Sequence, residues 1–85
     1  MTAALKARQW LESAEAHIDV RGLMPPQPLV SILRLLASVD QGTSVVAHLD
    51  RDPVMLYPEL AQIGWRADIV PGDPGEVRLR MRWAG

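Results

Sequence analysis

Hydrophobic and polar positions change rhythm several times along this chain, and the changes mark out its elements. Over residues 3–15, Ala3, Ala7, Trp10, Leu11 and Ala14 recur at helical spacing, while Lys6, Arg8, Gln9, Glu12 and Glu15 take the other faces. This predicts a short amphipathic helix. From His17 to Arg21 the period becomes two: Ile18 and Val20 point one way, and His17, Asp19 and Arg21 the other, the mark of a half-buried strand. Gly22 breaks it. A helix is predicted over about Gln27 to Val39, with Leu29, Ile32, Leu33, Leu36 and Val39 on one side and Val30 and Leu35 widening the apolar surface. Asp40, Gln41 and Gly42 end it. Thr43 to Leu49, β-branched and apolar, reads as a second strand. Asp52-Pro53 reads as the cap and first position of a second helix, with Leu56, Leu60 and Ile63 inward, Gly64 at its end and Pro58 expected to kink it. Trp65 to Val70 and Glu76 to Trp83 read as strands joined by the Pro71–Gly75 hairpin loop. In the last, Val77, Leu79, Met81 and Trp83 alternate with Arg78, Arg80 and Arg82, giving one buried face and one wet face.

The order is therefore β-α-β-α-β-β after a leading helix. A strand-helix-strand unit makes a right-handed parallel crossover, and a hairpin is antiparallel. Two short helices cover one side of four short strands. The expected fold is a two-layer α/β (α+β) sandwich: a four-stranded mixed sheet with both helices on one face, residues 1–16 forming an N-terminal helical extension and residues 17–85 the domain.

Composition narrows the function classes. With 85 residues and no cysteine, the chain must build one core without disulfides. It has no apolar run long enough to span a bilayer, and Glu12 and Glu15 stand where a secretory signal would be basic and then apolar. A cytoplasmic protein with no membrane association is expected. The formal net charge of −1 argues against general nucleic-acid binding, which calls for a clearly basic domain.

Ile18 to Pro28 reads Ile-Asp-Val-Arg-Gly-Leu-Met-Pro-Pro-Gln-Pro. It resembles the start of the TusA/SirA sulfur-carrier domains, whose pattern is Leu-Asp-x-x-Gly-Leu-x-Cys-Pro-x-Pro. Asp19, Gly22, Leu23, Pro26 and Pro28 match, while Pro25 stands in the place of the cysteine. The resemblance implies the two-layer fold above, shared with the C-terminal domain of translation initiation factor three. It also implies that the carrier chemistry is missing, since persulfide transfer requires a thiolate. Asp19-Val20-Arg21, Pro25-Pro26, Asp52-Pro53 and Leu56-Tyr57 further resemble the cysteine-free relatives of TusA that form the uncharacterised domain family 2249. That likeness spans about residues 17 to 83 and implies no activity.

Four groups of residues are candidates for chemistry or contact. The Pro-rich turn lacks the N–H donors that would hold an anion at a helix entrance. It is expected instead to offer Met24 and Pro25, with Arg21 and Tyr57 nearby, to a protein partner. Two His-x-Asp steps, His17/Asp19 and His48/Asp50, put four potential metal ligands on adjacent strands; ordinary surface residues are the simpler account. Arg78, Arg80 and Arg82, joined by Arg66 and opposed by Asp68, form a basic stripe for an acidic or nucleic-acid partner. No aromatic platform for stacking bases is evident beside it. Asp50 and Asp52 make a conceivable carboxylate pair without a third catalytic group, and Tyr57 is expected either to bond back toward the Asp19/Arg21 side or to contribute to a shallow cleft. No nucleophile constellation, phosphate loop or dinucleotide fingerprint is present. The expectation is a small non-enzymatic interaction or regulatory module without a cofactor. It is expected as a monomer or weak homodimer, with Trp10, Leu11 and Trp83 as its apolar surface.

Overall fold

The computed structural model describes residues 7–85. Along them run strands β1 (Arg8–Glu12) and β2 (Glu15–Asp19), helix α1 (Gln27–Ser38), strand β3 (Val45–Leu49), helix α2 (Leu56–Gln62), and strands β4 (Trp65–Val70) and β5 (Val77–Trp83). The strands form one mixed sheet in the order β1-β2-β3-β5-β4. β2 and β3 are parallel, with Ile18 opposite Ala47, and are joined by the α1 crossover. The pairs β1/β2, β3/β5 and β4/β5 are antiparallel.

The period-two pattern decides which side is buried. Ile18 and Val20 of the β2 segment, Val45, Ala47 and Leu49 of β3, and Leu79 and Met81 of β5 share one cluster with Ile32, Leu35 and Leu36 of α1 and Leu56 and Leu60 of α2. Both helices thus cover the same face. Ile18, Ile32, Leu79 and Met81 are fully buried, each worth about 1.5–3 kcal/mol in area removed from water. At one end Trp65 and Trp83 meet edge to face with centroids 6.2 Å apart. Gly64 lets them do so: its φ is +81°, and an added Cβ would come within 2.8 Å of the Trp83 ring, so a larger residue would be strained and would clash.

Three expectations are corrected. The leading helix is replaced, over its described part, by a β-hairpin: β1 pairs with β2 through Ser13 and Ala14, at φ 52° and 65°. Positive φ at both central residues is the primed-turn geometry that matches strand twist. Residues 3–6 of that expected helix lie outside the described residues. The sheet accordingly has five strands and not four, and β2 begins two residues before the expected His17.

Asp52 is not a helix cap. α2 starts at Leu56 after Met55, with no side-chain cap, and Asp52 instead accepts a hydrogen bond from the Tyr57 hydroxyl (2.6 Å). Pro58 does not kink α2, because it falls in the first turn, where the N–H has no helical partner to lose. Pro28 likewise falls in the first turn of α1.

Candidate functional site on the open face of the sheet

The face away from the helices carries the side chains of opposite parity. β1 contributes Arg8, Trp10 and Glu12; β2 contributes Glu15, His17 and Asp19; β3 contributes Val46 and His48. β5 supplies Arg78 opposite His48 and Arg80 opposite Val46. This face is not uniformly wet. His17 and His48 are 9% and 7% exposed, and their rings are hydrogen-bonded, His17 Nδ1 to His48 Nε2, at 3.0 Å.

Trp10 makes that burial possible. Its indole centroid lies 5.2 Å from the His17 ring and 5.3 Å from the His48 ring, nearly parallel to both at 19° and 29°. The two imidazole centroids are themselves 5.3 Å apart. The indole therefore straddles the junction between them. Its outer side carries the Arg8 guanidinium, 5.6 Å from the centroid, a distance at which the ring quadrupole attracts the cation.

The second ring nitrogen of His48, Nδ1, is hydrogen-bonded to Glu76 Oε2. Glu76 also accepts from Arg78 through Nε (3.0 Å) and Nη2 (3.1 Å), and from the Asp73 N–H (3.1 Å). The Arg78 bonds, ahead of the opposing burial penalty, hold the Glu76 carboxyl down at about 2; the same contact pushes the Arg78 guanidinium up. An ionised Glu76 is acceptor-only, so His48 Nδ1 carries the proton. In the neutral pair His48 Nε2 is then the acceptor and His17 Nδ1 the donor, which leaves His17 Nε2 as a bare lone pair. That atom has no hydrogen-bond partner among the described residues, and none of their buried side-chain nitrogens or oxygens lacks one. It is therefore reached by solvent.

The expected site residues divide sharply. His17 and His48 come together, but Asp19 and Asp50 do not join them. Asp19 takes Arg21 in a two-pronged pair, at 2.9 and 2.8 Å. That bond, outweighing burial, lowers its carboxyl to about 2 and raises the Arg21 guanidinium. Asp50 accepts from the Gly22 N–H at 2.7 Å. Among the described residues no group of three or more His, Asp or Glu is arranged to hold a metal ion. With Asp50 on Gly22 and Asp52 on Tyr57, no free carboxylate pair remains there either.

The arginine stripe is present but neutralised. Arg78 pairs with Glu76, Arg80 with Glu15 at 2.9 Å, and Arg82 with Asp68 at 3.4 Å. Arg66 shares the face, opposite Arg82. The expected lack of an aromatic platform on this face is corrected by Trp10, although its inner side is already occupied by the two imidazoles. Sequence reasoning missed Glu76, Glu15 and Trp10. Glu76 was within reach, since it continues the even-numbered parity of Arg78, Arg80 and Arg82.

A second feature lies on the helix side, at the Pro-rich turn. Pro25, Pro26, Pro28 and Leu29 face Pro53, Val54, Met55 and Leu56 across an apolar cleft of about 380 Å³. Met55 is 74% exposed beside it, and so is Met24 in the turn. Tyr57 packs half-buried against the core. Burial first, and the Asp52 carboxylate second, push its hydroxyl up to about 12. It bonds Asp52, so of its two expected roles the bond back to Asp19 and Arg21 is not made.

No helix among the described residues is long and apolar enough to cross a membrane. No curated protein matches the chain. A family model matches residues 17–82, which run from the first buried histidine to the penultimate residue of the last strand, and by that match the chain belongs to the family described as an uncharacterized conserved protein, DUF2249.

Proposed function

We propose that this protein is a small, non-enzymatic interaction module built on a sulfur-carrier-like fold that has lost its sulfur-accepting cysteine, working in the cytoplasm. The observation that carries this reading is the apolar cleft between the Pro-rich turn and the loop before α2. It opens beside the position that Pro25 fills in place of the cysteine. The turn is poor in donors for an anion: Pro25, Pro26 and Pro28 have no N–H, and the Gln27 N–H is taken by the Met24 carbonyl at 2.8 Å. Apolar walls and exposed methionine suit an apolar side chain of a partner polypeptide, because methionine adapts its shape to what it contacts. The β-α-β-α-β-β order past β1, with both helices on one face, also supports the sulfur-carrier-like reading.

The test is comparative capture from the native cell. Wild-type protein should retain a specific partner, and a Val54→Asp/Met55→Asp variant should lose it while keeping its circular dichroism. Arg21, Met24, Pro25 and Tyr57 remain the proposed contact residues, and Met24→Asp is expected to weaken the same complex about tenfold, the effect of losing one well-packed apolar contact. Retention of the same proteins by wild type and both variants would refute the cleft as the docking surface.

With Arg78, Arg80 and Arg82 each paired to a carboxylate, the stripe carries no excess charge for an extended polyanion, which weakens the acidic or nucleic-acid alternative, although single guanidinium N–H groups stay uncommitted among the described residues. The metal alternative keeps two of its four residues, His17 and His48.

A further inference from the structure

His17 lines a cleft of about 330 Å³ together with Glu12, Glu15, Arg78 and Arg80. This cleft is on the opposite face of the sheet from the apolar one, so the inference is independent of the proposed docking function. Three observations define what it can hold. The first is the ring-to-ring bond that leaves His17 Nε2 as the free nitrogen of the pair, an acceptor when both imidazoles are neutral and Glu76 fixes the His48 tautomer. The second is the state of the two arginines. Arg78 commits Nε and Nη2 to Glu76, and Arg80 commits Nε and Nη2 to Glu15. Both guanidiniums are thus fixed in orientation, with Nη1 uncommitted among the described residues. The third is position: Val46 stands between His17 and Arg80 in the strand register, so acceptor and donors border one space.

The uncommitted guanidinium N–H groups call for anionic oxygens, while the imidazole lone pair and the Glu12 and Glu15 carboxylates that line the same cleft call for a ligand that keeps a proton. The geometry points to this cleft as a binding site for a small oxyanion that keeps a proton at neutral pH, of which hydrogen phosphate is the simplest case. Sulfate matches phosphate in size and shape but carries no proton, so its oxygen would meet the His17 lone pair acceptor to acceptor. A phosphate monoester loses its last proton with a pKa of about 6 and behaves like sulfate at pH 7.5. Selection between near-identical anions therefore rests on one hydrogen bond that two of the three cannot make.

Calorimetric titration of the full chain with inorganic phosphate, sulfate and phenyl phosphate, at pH 7.5 and constant ionic strength, tests this. Phosphate is expected to bind at least about tenfold more tightly than the other two, equivalent to about 1.4 kcal/mol. Arg80→Gln should weaken binding of every anion and keep the preference. His17→Ala should abolish the preference, and Glu76→Gln should reduce it by releasing the His48 tautomer. Nitrogen-detected NMR of the wild-type histidines provides a readout independent of any variant: His17 should carry its proton on Nδ1, and phosphate should shift Nε2 toward the hydrogen-bonded value. Equal affinities for phosphate and sulfate, no phosphate binding up to about 20 mM (a free energy of only about −2.3 kcal/mol), or a protonated His17 Nε2 in the free protein would each overturn the assignment.

Discussion

Removing the Glu76 carboxylate would strip an acceptor from both Arg78 donors, from the Asp73 N–H and from His48 Nδ1. With its side chain almost wholly buried, Glu76→Gln is expected to destabilise the fold by about 2 kcal/mol at neutral pH, the scale of a buried hydrogen bond to a charged group. Urea denaturation reads this directly. The pH dependence has a definite sign. Glu76 and Asp19 sit at about 2 in the folded protein, against ordinary values of 4.5 and 3.8. The unfolded chain therefore binds more protons in that window, and the stabilisation is full above about pH 5 and fades as pH falls from there toward 2. Wild type should lose stability steeply over that interval, while the Glu76→Gln variant should show a shallower slope. A variant with the wild-type slope would show that the Glu76 network contributes nothing to acid stability.

Among the elements, the first hairpin is the least comfortable in its own sequence. Ser13 and Ala14 hold left-handed backbone, which costs about 1–2 kcal/mol per residue for side chains without local support. Replacing them by the favoured turn pair, S13N with A14G, is expected to stabilise the protein by about 1 kcal/mol and raise the unfolding midpoint by roughly 4–8 °C for a domain of this size. An unchanged or lower midpoint would contradict the turn geometry. The same strain explains why this element could not be read from the residues. Asn-Gly or Asp-Gly would have announced a hairpin, whereas Ser-Ala announces nothing. Over five strand residues, the alternation of Arg8, Trp10 and Glu12 was outweighed by the helical spacing of Ala7, Trp10, Leu11 and Ala14. The parallel crossover and the closing hairpin were legible because Ile18/Val20, the α1 leucines and the Arg78–Trp83 alternation each repeat one period without interruption. The histidine pair was half legible. Parity placed His17 and His48 on one face, but the diagonal contact depends on strand register, and the roof over it depends on the hairpin that could not be seen.

At the scale of the whole molecule, a chain without cysteine is expected to stay unlabelled when incubated with a cysteine desulfurase and isotopically labelled cysteine; covalent label on the purified wild-type protein would overturn the carrier-without-cargo reading. Among the described residues β1 and β4 are the sheet edges, and Leu11 on the former is 78% exposed. Edge strands invite pairing between copies, yet β1 spans five residues and carries the charges of Arg8 and Glu12. A monomer or weak homodimer is expected; light scattering across a concentration series separates them, since a constant monomer mass into the high-micromolar range would rule out functional dimerisation, and a stable dimer mass at all concentrations would contradict both. The alternation along β3 has a further consequence. Val46 and His48 border the histidine site, while Leu49 borders the apolar cleft, so neighbouring codons in one short strand serve opposite sides of the protein. Mutations at one site need not be compensated at the other, and a lineage can retune a partner through one set of positions while holding a ligand with the next. A five-residue strand at the centre of the sheet thereby gives selection two nearly independent handles.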